Sequence, residues 1–177
     1  MFEILSSGRI LSTNTRDPYL LQAVQFLSNP SNFEELEGVV RRLGMVLIAE
    51  DGYFYLSKPL KPEEMERFFR HYRRVILAVA QLKKVFLHLD RGHTIKKSQF
   101  VTALNSTPQK VDWKILKGLF GKEVEAEDYW SITEKLFDLL VKGDVLSPLP
   151  NSKDEYLVLN GFRYFTQIVE AIGGGDE

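Results

Sequence analysis

Apolar residues recur at steps of three and four through Met65, Phe68, Phe69, Tyr72, Val75, Ile76, Val79, Ala80, Leu82 and Phe86, all within Pro62–Leu89. That period predicts one long helix with a single buried face. Pro62 suits a first turn, where its missing N–H has no intrahelical partner. Glu63 and Glu64 fall at the positive end of the helix dipole, Lys83 and Lys84 at the negative end. At the usual rise per residue the rod is roughly 40 Å long, about twice what a compact domain of this size needs. The expectation is a beam shared by two small domains.

The flanks read as two similar units. In the first, Phe2–Leu11 is a short apolar stretch broken by Ser6-Ser7-Gly8-Arg9. Asp17-Pro18 is an N-cap followed by proline at the first helical position, and Leu20, Leu21, Val24 and Leu27 give that helix its inner face. Asn29 to Asn32 closes it, and a third helix is expected over Phe33–Leu43, stopped by Gly44. The period then changes to strand over Met45–Ala49, turn over Glu50-Asp51-Gly52, and strand over Tyr53–Leu56. In the second unit a short strand at Thr94-Ile95 precedes helices over Ser98–Asn105 and from Thr107-Pro108 to Phe120. An acidic loop over Glu123–Tyr129 leads to a third helix stopped by Lys142-Gly143-Asp144. A hairpin of Val145–Leu149 and Tyr156–Leu159 follows, then a last helix over Phe162–Ile172. The fold class expected is mainly α with β-hairpin wings (α+β), as tandem winged-helix domains joined by a long helix. The divisions are 1–60, a connecting helix 61–90 that is also the first helix of the second domain, and 91–177 with its C-terminal helix.

Composition narrows the chemistry. The chain is 44% hydrophobic and 12% aromatic, enough to build folded cores, and has no cysteine. Disulfides and thiolate metal sites are thereby excluded, which fits a reducing compartment. The opening MFEILSSGRI lacks the charged and apolar regions of a secretory signal. Val75–Ala80, the longest apolar run, is too short to span a bilayer, so a soluble cytoplasmic protein is expected. The three histidines, His71, His88 and His93, form no i,i+4 metal pair, and there is no G-x-S-x-G elbow, P-loop or dinucleotide fingerprint. No enzyme and no cofactor is expected.

Net charge is −1, so affinity for polyanions rests on distribution alone. The first third helix opens with Glu34, Glu35 and Glu37, where a major-groove reader carries basic and amide side chains. That weighs against a free-standing winged-helix transcription regulator, the alternative reading. The DNA-contact candidates are Arg67, Arg70 and Arg74 on the long helix, with Lys96, Lys97, Lys114 and Lys117 beyond it. Contacts of this kind hold a backbone without reading bases, giving weak, non-specific, salt-sensitive binding; a solvated face with surface ion pairs is the other reading. The protein-interface candidates are Tyr53 and Tyr55 on the first return strand, with Phe68, Phe69 and Tyr72 on the long helix. Alternation puts Phe54 and Leu56 toward the core and the two tyrosines outward. The wide stripe on the long helix is covered either by another chain, as in a homodimer, or by Phe2–Leu11 or Phe162–Ile172 of the same chain.

Three stretches resemble the MukE family and its shorter MksE relatives, accessory subunits of bacterial SMC condensins and members of the kleisin-interacting tandem winged-helix proteins. They are Ser7-Gly8-Arg9, then Val46-Leu47-Ile48 through Gly52-Tyr53-Phe54-Tyr55-Leu56-Ser57-Lys58-Pro59, then Asn160-Gly161-Phe162-Arg163-Tyr164-Phe165. Element order matches over nearly the whole chain. A more compact stretch between Asn105 and Ser131, and no MukE-like C-terminal extension, point to the MksE or anti-plasmid (Wadjet-type) branch. The resemblance implies a non-enzymatic, nucleoid-associated homodimer that binds a kleisin of the MukF or MksF kind. Through that complex it would assist an SMC ATPase of the MukB or MksB kind in entrapping DNA, for chromosome organisation and segregation or for plasmid defence.

Overall fold

The computed structural model describes residues 1–59, 61–121 and 128–173, and within these the side chains of Arg67, Phe68, His71 and Ile172 are left out. The expected acidic loop therefore lies, apart from Asp128 and Tyr129, outside the described residues.

The first part of the chain runs α1 (Phe2–Ser6), β1 (Leu11–Ser12), α2 (Pro18–Leu27), α3 (Pro30–Arg42), β2 (Val46–Glu50) and β3 (Tyr53–Ser57). The caps follow from local chemistry: Asp17 accepts from the amides of Tyr19 and Leu20, and Asn29 from those of Ser31 and Asn32. α3 therefore starts three residues earlier than its apolar period predicts, because Asn29 is the cap and Asn32 a first-turn residue. Gly44, at φ +73°, turns the chain out of the helix. The three strands form an antiparallel sheet ordered β1-β3-β2.

The long helix, α4, spans Pro62–Val85, 24 residues, or roughly 36 Å. It stops four residues short of the expected Leu89, since Phe86 takes φ −107° and ψ 80°. Phe86 and Leu89 kept the helical period in the sequence because both still pack on the core from the following loop. Then come β4 (Thr94–Lys96), α5 (Lys97–Ser106), a 3₁₀ turn at Pro108–Lys110, α6 (Trp113–Phe120) and α7 (Tyr129–Lys142). β5 (Leu146–Pro148), β6 (Glu155–Val158) and α8 (Phe162–Gly173) complete the described chain. The second sheet is also antiparallel and ordered β4-β6-β5. The protein is thus mainly helical with two small three-stranded antiparallel sheets, consistent with winged-helix elements.

Two apolar clusters organise the packing. One gathers Leu5, Leu11, Leu20, Val24, Leu27, Val40, Leu47 and Phe54. The larger one is built around Val75, Ile76, Val79 and Leu82 of α4, with Phe100, Leu104, Leu116, Ile132, Leu136, Phe137, Leu140, Phe162 and Phe165. Ile10 and Tyr53 belong to the larger cluster, whereas their chain neighbours Leu11 and Phe54 belong to the smaller. Alternating side chains of β3, and of the segment entering β1, point to opposite faces. The first sheet is therefore wedged between the two cores and has apolar cover on both sides. α8 lies along α4, with Phe165 against Tyr72 and Lys83 paired to Glu170. Of the coverings open from sequence, the C-terminal helix is the one that lies along α4, which it shares with α6 and α7.

Candidate functional site

The wedge explains where the predicted interface residues go. The expectation that Tyr53 faces outward is corrected: it is only 2% exposed, because the second core covers that face of β3. Tyr55, two residues on, is half-buried; its ring lies 5.1 Å from that of Tyr164 at the start of α8. Tyr164 in turn lies 6.4 Å from Tyr72 of α4. The predicted walls on the hairpin and on the long helix are thus brought together through a residue not singled out as a contact. The Tyr72 hydroxyl donates to the Gly8 carbonyl at 2.7 Å. Burial raises the Tyr53, Tyr55, Tyr72 and Tyr164 phenol pKa values, most of all that of Tyr164, so each is a neutral hydroxyl at physiological pH.

The apolar surface continues outward from these rings. The β2–β3 register sets Ile48 opposite Tyr55 and Val46 opposite Ser57, so Val46 and Ile48 share the tyrosine face. Val46 is 49% exposed. On α4, Met65 and Phe69 precede Tyr72 at helical spacing and are also exposed. The Phe68 side chain lies outside the described residues. The face of the hairpin carrying Val46, Ile48 and Tyr55 and the face of α4 carrying Met65, Phe69 and Tyr72 are thus linked through Tyr164.

A set of polar contacts ties the start of the chain to its end. The Arg9 guanidinium donates twice to Asp144, from Nε at 2.7 Å and from Nη2 at 2.5 Å, and the Ile10 amide donates to the same carboxylate at 3.2 Å. Asn14 accepts from the Asn160 amide and donates to the Val158 carbonyl. Ser12 Oγ accepts from the Gly161 amide at 2.8 Å, and Asn160 Nδ2 donates to Thr13 Oγ1 at 2.9 Å. At the tip of the first hairpin Asp51 accepts from Arg91, with Arg163 at 3.8 Å. The hydrogen bond from Arg91 holds the Asp51 carboxyl below its ordinary pKa. All three stretches carrying the family resemblance meet here, so much of what they encode is the seam between the two sheets.

The basic candidates separate. Lys97 is drawn in, its side chain 12% exposed, 3.7 Å from Glu134 and lying over the rings of Trp130 and Tyr156; that geometry suits internal packing rather than phosphate contact. Lys96 pairs with Glu155 at 3.1 Å. Arg70 is exposed and bonded to Glu66 one turn away, while Arg74 donates to the Leu119 carbonyl that ends α6. Lys114 and Lys117 are exposed on α6. The Arg67 side chain is outside the described residues. No group of three His, Cys, Asp or Glu able to hold a metal occurs among the described residues, and no described helix is long and apolar enough to cross a membrane.

No curated protein matches the chain. The family model described as condensin complex protein MksE matches residues 1–170, and the chain belongs to that family, whose members are non-enzymatic, kleisin-associated condensin subunits.

Proposed function

We propose, taking membership of the MksE family as the premise, that this chain is a tandem winged-helix subunit in which the apolar faces joined by Tyr164 form a groove that seats a segment of its kleisin. The observation that carries this reading is the Tyr55–Tyr164–Tyr72 chain of rings, which joins the first hairpin to the long helix. Half-buried tyrosines combine apolar contact area with hydroxyls that meet a peptide backbone, and the exposed Val46, Met65 and Phe69 extend that area. An amphipathic helix or an extended strand of the partner fits such a trough.

The tandem reading is supported by order. α1-β1-α2-α3-β2-β3 is followed by α4-β4-α5-α6-α7-β5-β6, and the two sheets have the same strand sequence with the last-made strand in the centre. On that basis 1–60 is the first unit, α4 both the connector and the first helix of the second, and 91–177 the remainder. Within the complex the kleisin links this subunit to the SMC ATPase, which performs the ATP chemistry. The chain works as a homodimer at the nucleoid and contributes weak, sequence-neutral DNA contact through Arg70, Lys114 and Lys117, Arg74 being turned to the Leu119 carbonyl of α6.

Co-purification with the kleisin tests the groove. Val46→Asp and Phe69→Ala change exposed rim positions and leave both cores intact, so each is expected to weaken capture at least tenfold without altering the unfolding midpoint. Undiminished capture by the double variant would move the kleisin interface elsewhere.

A further inference from the structure

Beside the seam, Arg9, Arg70, Tyr72, Arg74, Lys142 and Asp144 line a cavity of about 430 Å³. Four of these side chains are cations and one is a carboxylate. That carboxylate is fully engaged: Asp144 accepts two bonds from Arg9 and one from the Ile10 amide. Its charge is thus spent on Arg9, and Arg70, Arg74 and Lys142 are left to set the field of the cavity. Arg70 shares its charge with an exposed Glu66, while neither Arg74 nor Lys142 has a carboxylate partner among the described residues. Asp144 sits at φ +58°, a conformation that costs energy for a residue other than glycine. The backbone there is held in place by the contacts of its side chain rather than by its own preference.

We propose that this cavity is a binding site for a compact phosphorylated anion of nucleotide size. Its volume falls in the range of small-ligand pockets, and its walls come from three separate parts of the chain, which converge on one point rather than forming a track. Guanidinium forks and an ammonium supply charge-assisted donors suited to phosphate oxygens. Tyr72 gives an aromatic wall. A duplex is too broad to enter the cavity, so the sequence-neutral DNA contact proposed above uses the outer surface of Arg70 and of α6 instead. The competing explanation is that Arg74 and Lys142 serve only to balance the carbonyl ends of α6 and α7, which both lie here.

Calorimetry on the full chain at low ionic strength, with orthophosphate, pyrophosphate, ADP and ATP as probes, distinguishes these. Saturable one-site binding is expected, tighter for pyrophosphate and the nucleotides than for orthophosphate. Arg74→Gln and Lys142→Gln are each expected to weaken it roughly tenfold, and Lys135→Gln, on the exposed side of α7, to leave it unchanged. Arg70→Gln, at a side chain 76% exposed, keeps the test valid if Arg74→Gln does not fold. A preference of the nucleotides over pyrophosphate assigns part of the site to the base and sugar; equal affinity assigns all of it to phosphate. Absence of saturable binding by any of the four ions, or equal weakening by Lys135→Gln, overturns the proposal. So does duplex binding that depends on Arg74 and Lys142 and that none of the four ions displaces.

Discussion

Asp144→Ala removes the centre of the seam, and the structure sets the size of the effect. The carboxylate is 6% exposed, but its partner Arg9 is 39% exposed, so the ion pair is worth about 1 kcal/mol rather than the 3–5 of a fully buried one. The Ile10 amide, part of a residue only 3% exposed, loses its acceptor, at about 1–3 kcal/mol. Together these give a destabilisation of about 2–4 kcal/mol, or about 5–15 °C in midpoint for a chain of this length. Asp144→Gly deletes the same bonds but relieves the positive φ, and is expected to cost about 1 kcal/mol less than alanine. Asp144→Asn keeps an acceptor for Ile10 and should fall between alanine and wild type. Urea unfolding of the three variants measures all of this. An alanine variant within 0.5 kcal/mol of wild type, or a glycine variant no better than alanine, would refute the account of the seam.

Gly52 offers a second check on the same seam. It sits at φ +92°, with a Cβ placed 2.5 Å from Asn160 Nδ2, so Gly52→Ala should cost about 2 kcal/mol or more in the same urea assay. Tyr164 makes stability fall at high pH: burial raises its folded pKa above the ordinary value of 10.0, so the stabilisation present below pH 10 is lost as pH rises beyond it. Tyr164→Phe should flatten that alkaline limb in a pH series of thermal melts; an unchanged limb would show that another group causes it. Light scattering should give about twice the 20.4 kDa chain mass at micromolar concentration, and a concentration-independent monomer, alone and with kleisin, would rule out the dimer.

Much of the element order was legible because each signal was local. Asp17-Pro18, Gly44 and the Asp51-Gly52 turn act within four residues of themselves. What escaped depended on contacts between distant parts. Tyr53 alternates with Phe54 as a half-exposed strand would, and nothing near it in sequence reveals that a second core covers its face. Tyr164 read as one apolar residue on a C-terminal helix; only packing puts it between Tyr55 and Tyr72. Phe86 and Leu89 misled in the opposite sense, since a loop packed on a core retains the apolar spacing of the helix before it. Lys97 is one cation among several in the sequence, and only packing puts Trp130 and Tyr156 under it.

The bond between Ser12 and Gly161 spans 149 positions of sequence, and this has a consequence for how the protein is made. A ribosome delivers the N-terminal hairpin early, yet Ile10 and Tyr53 have no finished core to enter until α8 emerges. Until then one face of the first sheet is bare, with an apolar strand edge available to any neighbour. Closing so large a loop is slow relative to local helix and hairpin formation. The newborn chain therefore passes through an interval in which its earliest-formed sheet is its most adhesive part, and the docking of α8, rather than completion of the first half, ends that interval.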